Sequence, residues 1–275
     1  MQFIVFTKMF KEFDLDGLID KVKYVGADGM DLCVRPEYVV TPESAGTELA
    51  PAVEKIRAAG LDVPMITANF DFVDPGMEGT EPMLAAMDAA DVRLIKLGYY
   101  SYKPGEMDFW KKVEDIRAKF EKYEKLAAAH NVTICYHTHS DLNMGNNASA
   151  IMALLEGRDP AYMAAYLDTA HIMIDGEPWP MALDIVGPYL KIVAAKDFVY
   201  EKEEGQPAKI GWVPAGEGLL QWPELFRELI KRDFDGPVSI HGEFERGFDS
   251  KDEFFDVLRD EVACIRKAYQ EAEQS

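Results

Sequence analysis

Apolar residues fall into two alternating patterns along the chain. Short, nearly continuous apolar runs at 3–7, 29–34, 63–68, 94–98, 132–137, 164–168, 190–195 and 238–241 predict eight strands. A strand packed against helices on one face and other strands on the other stays apolar throughout instead of alternating. Between the runs lie stretches with helical spacing. Leu15, Leu18, Ile19, Val22 and Val25 form one apolar stripe that stops at Gly26, and segment 51–59, stopped by Gly60, predicts another helix. Segment 107–130 is the longest helical stretch, and 222–231 begins with Pro223 at a position where its missing N–H costs little. Eight strand–helix repeats with no linker between them predict one (β/α)8 TIM barrel spanning residues 1–275. A doubly wound sheet is the competing arrangement, but no Gly-x-Gly-x-x-Gly follows the first strand. Segment 198–220, rich in Gly and Pro, is the one long connection and reads as a loop that could serve as a lid, or as a solvated insertion.

A barrel changes how the polar residues are read, because catalytic groups in this fold stand at the C-terminal ends of strands and on the loops that follow. Lys8, Arg35, Asn69, Lys96, His137, His139, Asp168, His171, Lys196, Asp197, His241 and Glu243 all occupy such places and are expected to converge on one mouth. Of the chain's five histidines, His130 alone sits elsewhere, at the end of a helical stretch. His137 and His139, two residues apart at the end of one strand, project to the same side. Tyr99, Tyr100, Tyr102, Trp179 and Trp212 lie on loops at that end, where aromatic faces suit sugar C–H surfaces as well as ordinary packing.

Charge narrows the partners. Lys and Arg total 29 against 49 Asp and Glu, a formal net charge of −20, which repels polyanions and argues against a nucleic-acid substrate. No apolar run reaches the roughly 18 residues of a membrane span, and the first residues lack the features of a signal peptide, so a cytoplasmic protein without membrane contact is expected. The three cysteines are odd in number and far apart, and Cys33 and Cys135 fall inside apolar runs, where a buried thiol is the expected state. Whether the chain forms a homo-oligomer is left open.

Four motifs in order resemble the sugar phosphate isomerase/epimerase superfamily, the xylose isomerase-like barrels that also include endonuclease IV. Leu167-Asp168-Thr169-Ala170-His171 is similar to the Asp-x-x-His of strand six, and Ala194-Ala195-Lys196-Asp197 to the His-x-Lys-Asp of strand seven. Gly216-Glu217-Gly218 and Gly236-Pro237-Val238-Ser239-Ile240-His241 are similar to the segments before the last crossover helix and along strand eight, and a branch of the superfamily also has the strand-five Tyr-His-x-His. The resemblance implies a divalent metal held by Glu, Asp, His and Glu from strands five to eight, positions filled here by His137, Asp168, Ala194 and His241. One ligand is absent and two have changed type.

Two imidazoles and a carboxylate from His137, Asp168 and His241 would suit Zn, Ni, Co, Fe or Mn while leaving positions open for substrate oxygens. The bland alternative is that these histidines satisfy hydrogen bonds in the mouth. Residues i and i+2 of a strand lie roughly 7 Å apart, too far to share one ion, so His137 is expected to bind and His139 to face the substrate. Glu243 is expected as the base and Lys196 as the partner of an enolate oxygen, with His139 and His171 orienting or carrying protons. Arg35, Asn69, Lys96 and Trp212 are expected to hold the substrate, a small carbohydrate. The resulting expectation is an isomerase or epimerase working by metal-assisted proton removal beside a carbonyl. The alternatives are a lyase or hydratase that reaches the same enolate from a 3-keto sugar or glycoside, and a non-catalytic sugar-binding barrel. No Gly-x-Ser-x-Gly elbow, catalytic-cysteine signature or phosphate-cradling loop points to nucleophilic or phosphoryl-transfer chemistry.

Overall fold

The computed structural model describes residues 1–69 and 71–275. Seven parallel strands are laid down in turn: β1 (Gln2–Phe6), β2 (Gly29–Cys33), β3 (Asp62–Thr67), β4 (Leu94–Lys96), β5 (Thr133–His137), β6 (Met163–Asp168) and β7 (Leu190–Ala195). A two-stranded antiparallel hairpin, β8 (Asp197–Glu201) and β9 (Lys209–Val213), precedes β10 (Pro237–Ile240), which pairs with both β7 and β1 and closes an eight-stranded barrel. Helices α1 (Leu15–Val25), α2 (Ala45–Ala58), α3 (Thr80–Ala89), α4 (Phe109–Ala129), α5 (Ala148–Leu155), α6 (Thr169–Ile174), α7 (Trp179–Val186), α8 (Trp222–Ile230) and α9 (Lys251–Glu273) return the chain between strands and follow the last one.

The apolar runs account for all eight barrel strands. Every residue of β2, β6 and β10 is buried. Ile4, Met65, Cys135, Ala164, Tyr166, Ile192 and Ala194 form a separate buried cluster inside the barrel, while the outward residues pack under the helices in one continuous core. Where β2 leaves β1 for β3 the backbones come close, and a Cβ on Gly29 would strike the backbone of Asp62. At the end of α1, Gly26 takes a left-handed φ of 77° that a side chain would resist, which explains why the stripe stops there.

Two elements differ from their sequence patterns. Helix α2 begins at Ala45, six residues before Pro51, the expected start, and Pro51 stands inside it. Ala45, Leu49, Ala52, Val53 and Ile56 are all buried along one face, so the apolar stripe runs through the proline and outweighs the hydrogen bond it removes. Segment 198–220, expected as a loop, contains most of the β8–β9 hairpin. Its first strand grades from buried Phe198 through half-buried Val199 to exposed Tyr200 and Glu201 as it leaves the barrel, so no alternation marks it in the sequence. Among the described residues no helix is long and apolar enough to cross a membrane.

Candidate active site

Strand alternation sends the last inward residue of most strands to one end of the barrel. Lys96, His137 and Asp168 end β4, β5 and β6, Lys196 and His241 stand one residue past β7 and β10, and Arg35 stands two past β2. With Lys8, Tyr99, His139, His171 and Glu243 they line a cavity of about 390 Å³, counting its open mouth. Every expected catalytic and metal-binding residue is therefore at this site. Asn69 is not: its Nδ2 donates to Asp71 Oδ1 at 2.9 Å outside the cavity lining. Of the loop aromatics, Tyr99 and Trp212 face the site. Tyr100 donates to the Val73 carbonyl, Tyr102 to the Met107 carbonyl and Trp179 to the Leu225 carbonyl, each packed into the fold.

One wall is built from imidazoles around a carboxylate. Asp168 caps α6, its Oδ1 accepting from the Ala170 and His171 amides at 3.0 Å each, so its second oxygen is held in a fixed direction. That oxygen, Oδ2, is buried without a hydrogen bond, 3.6 Å from His137 Nε2 and 3.9 Å from His171 Nε2. His137 Nε2 likewise has no partner, while its Nδ1 lies 3.2 Å from the Tyr99 hydroxyl. His171 Nδ1 meets Ser140 Oγ at 2.8 Å, and the His139 ring packs 4.1 Å from the His171 ring. Burial pushes the His137 imidazole well below its ordinary value, with Lys96 adding to the shift, and takes His171 down to about 3. Burial lowers His139 as well, so these three rings are neutral at physiological pH.

A second wall pairs Glu243 with cations. Lys196 Nζ donates to its Oε2 at 2.9 Å, Lys8 Nζ donates to Oε1, and His241 Nδ1 lies 3.6 Å from Oε2. Burial alone would raise this carboxyl, but His241, Lys196 and Lys8 more than offset it and hold it well below the usual carboxylate range. Trp212, on β9, covers Lys196 with its ring centre 3.8 Å from Nζ and meets the His171 ring edge-on at 5.2 Å. The hairpin is tied down at its base by Asp197, whose carboxylate accepts from the Phe198, Gly216 and Leu220 amides and from Trp222 Nε1. Asp197 thus organises the loop and does not reach the cavity, and a Cβ on Gly218 would collide with it.

The trio expected to hold a metal is only half assembled. His137 Nε2 and Asp168 Oδ2 face each other as two bare donors, but His241 turns Nε2 to the Tyr166 hydroxyl at 3.0 Å and Nδ1 toward Glu243. Among the described residues no group of three His, Cys, Asp or Glu is arranged to hold an ion. Ala194, at the position of the family's histidine, is buried inside the barrel. A site with three protein ligands needs all three within about 2.3 Å of one point, and this set as placed does not fit one.

Sequence reasoning missed Tyr166 and Ser140. Tyr166 lies two residues before Asp168 on β6, so strand periodicity could have placed it inward beneath the cavity. Ser140 carries no signal of its own; only the fold brings it to His171.

A closed parallel barrel whose strand ends deliver acids, bases and cations to one mouth defines an enzyme-type (β/α)8 architecture. Residues 19–268 match the xylose isomerase-like TIM barrel family, and the chain belongs to it. An inosose dehydratase of Bacillus velezensis is 21% identical over 172 residues, covering 56% of this chain and 57% of the relative. The chain spans about half the length of the curated relatives it matches. Two solved structures share the fold: a D-psicose 3-epimerase, with a TM-score of 0.74 at 14% identity covering 98% of this chain and 99% of that one, and a 3-keto-D-glucoside 4-epimerase from E. coli, with a TM-score of 0.70 at 17% identity covering 97% and 99%.

Proposed function

We propose that this cavity removes a proton from a carbon next to a carbonyl in a small sugar or keto sugar, making the chain an isomerase or epimerase. The observation that carries the reading is the Lys196–Glu243 pair at 2.9 Å, a carboxylate and a cation side by side in a cavity of neutral imidazoles. When the carbonyl oxygen takes Lys196 as its donor, Glu243 loses one of its two lysines and gains basicity. The substrate's C–H proton passes to Glu243, the bonding electrons move onto the carbonyl oxygen, and Lys196 faces the enolate that forms. Return of that proton from Glu243 to the neighbouring carbon completes an isomerisation, whereas epimerisation at the same carbon needs a second group that enters the step carrying a proton. Asp168 Oδ2 and His137 Nε2, buried and unpartnered, are placed to hold a substrate hydroxyl between them. Each step uses side chains of this chain, since the expected ligand trio as placed does not fit a metal.

A dehydration shares the first step, and the similarity to an inosose dehydratase favours it as the second reading. There the enolate expels a β-hydroxyl as water, the departing oxygen taking the proton that Glu243 removed from carbon, with Asp168 Oδ2 and His137 Nε2 placed to hold a neighbouring hydroxyl.

The test is to incubate sugars, keto sugars and their phosphates in deuterated water and follow carbon-bound exchange by NMR. Exchange is expected with at least one compound, and Glu243→Gln is expected to slow it about 100-fold or more. A product lighter by one water marks dehydration, and an isomer of equal mass marks epimerisation. Undiminished exchange in Glu243→Gln removes that residue as the base.

A further inference from the structure

We infer that the substrate carries an anionic group, a carboxylate or a phosphate, and that Lys96 receives it. The inference rests on the reading that this cavity is where substrate binds. Four basic side chains, Lys8, Arg35, Lys96 and Lys196, line it against two acidic ones, Asp168 and Glu243. A net positive cavity in a chain of net charge −20 is not an average of its composition. The imbalance is also localised. Lys8 and Lys196 both sit on Glu243, whereas Lys96, among the described residues, has no carboxylate within ion-pair distance. Its Nζ meets the Leu97 carbonyl at 3.3 Å and the face of Tyr99 at 4.2 Å.

Lys96 and Arg35 are 4% and 6% exposed, so both heads are largely withdrawn from water. The nearest acid, Asp31, turns its oxygens to hydroxyls, Oδ1 accepting from Thr67 Oγ1 at 2.6 Å and Oδ2 from Ser239 Oγ at 3.0 Å, so it acts on Lys96 only at a distance and offsets part of the charge. A buried ammonium with no carboxylate at ion-pair distance is unfavourable until an opposite charge joins it. Burial, followed by repulsion from Arg35, pushes the Lys96 amine down to about 7; Asp31, Cys33 and Glu243 pull the other way without restoring it. The remaining titratable groups facing it, Tyr99 and His137, are held neutral by burial and add no charge. A neutral sugar leaves this imbalance in place. A carboxylate or phosphate removes it, drives Lys96 to its charged form and takes up a proton on binding.

The test uses three six-carbon probes that lack an aldehyde or ketone and so do not undergo the proposed reaction: D-glucitol, D-gluconate and D-glucitol 6-phosphate, titrated calorimetrically at pH 6 and pH 9. At pH 6 at least one anionic probe is expected to bind tenfold or more tighter than glucitol, with gluconate against glucitol phosphate distinguishing the two sources of charge. Lys96 is charged below its pKa and neutral above it, so the preference is expected to shrink about tenfold or more by pH 9. Lys96→Met is expected to abolish the preference, and Lys96→Arg, charged at both pH values, to keep it at pH 9. Failure of both anionic probes to bind more tightly than glucitol, or a wild-type preference in Lys96→Met, overturns the inference. Carbon-bound exchange with a neutral keto sugar, together with no anion preference, would sink this inference and leave the proposed reaction standing; anion preference with no exchange would do the reverse.

Discussion

Asp168 does two jobs with its two oxygens, and they can be separated. Oδ1 closes the N-terminus of α6 through two amides, while Oδ2 is bare in the cavity. Asparagine caps helices about as well as aspartate, so Asp168→Asn is expected to change stability by about 1 kcal/mol or less. It removes the charge from Oδ2, so turnover is expected to fall about 100-fold, read by exchange alongside melting temperature. Equal loss of both would mean that Asp168 acts only through the fold. A second carboxyl, Glu261 on α9, is buried away from the cavity, accepting from the Ala215 amide with Oε1 while Oε2 has no partner. Burial, with Asp197 and Glu217 adding to it, raises its pKa from 4.5 to about 8. The folded state thus holds this proton more tightly than the unfolded one, and the stability it confers, present below pH 4.5, is lost as pH rises to about 8. Glu261→Gln is expected to match wild type near pH 5 and to melt several degrees higher near pH 8.5; parallel melting curves at both values would refute the assignment.

The β8–β9 hairpin overhangs one side of the barrel's mouth. It holds Trp212 over Lys196, and its base depends on four donors converging on Asp197. Asp197→Ala leaves those donors buried without a partner and is expected to destabilise the chain by about 3 kcal/mol or more, measured by denaturant unfolding. The same change is expected to increase protease cleavage between residues 200 and 210 before global unfolding. Loss confined to activity, with unchanged unfolding, would show that the hairpin is held by its strand pairing alone.

Across the whole molecule the charge of −20 is spread over a surface that repels itself, while the cavity carries the opposite sign. Exposed ion pairs such as Lys125–Glu121 and Lys267–Glu271 do little against this, because solvent screens them. Raising NaCl from about 10 to 300 mM shortens the Debye length from about 30 Å to well under 10 Å, so the melting temperature is expected to rise by a few degrees. A fall in melting temperature would mean that screened attractions outweigh the excess negative charge.

The barrel was legible in the amino-acid order because its causes are local and periodic. Each strand must be apolar to be buried on both sides, each helix must carry a stripe, and eight such repeats leave few ways to close. For the same reason the strand-end residues could be assigned to one mouth: a strand's direction and its period of two place His137, Asp168, Lys196 and His241 without knowledge of their neighbours. Ring orientation and pairing are different, because they depend on residues distant in the chain. Nothing near His241 in sequence says that Tyr166 takes its Nε2, and nothing near Glu243 says that Lys8, 235 residues away, joins Lys196 on it. The hairpin and the start of α2 were hidden where glycine or proline usually marks a break, and burial against the rest of the fold overrode that local preference. Fold and the gathering of most strand-end residues at one mouth therefore follow from periodicity, whereas the partners and charge states of those residues are set by burial and long-range contact.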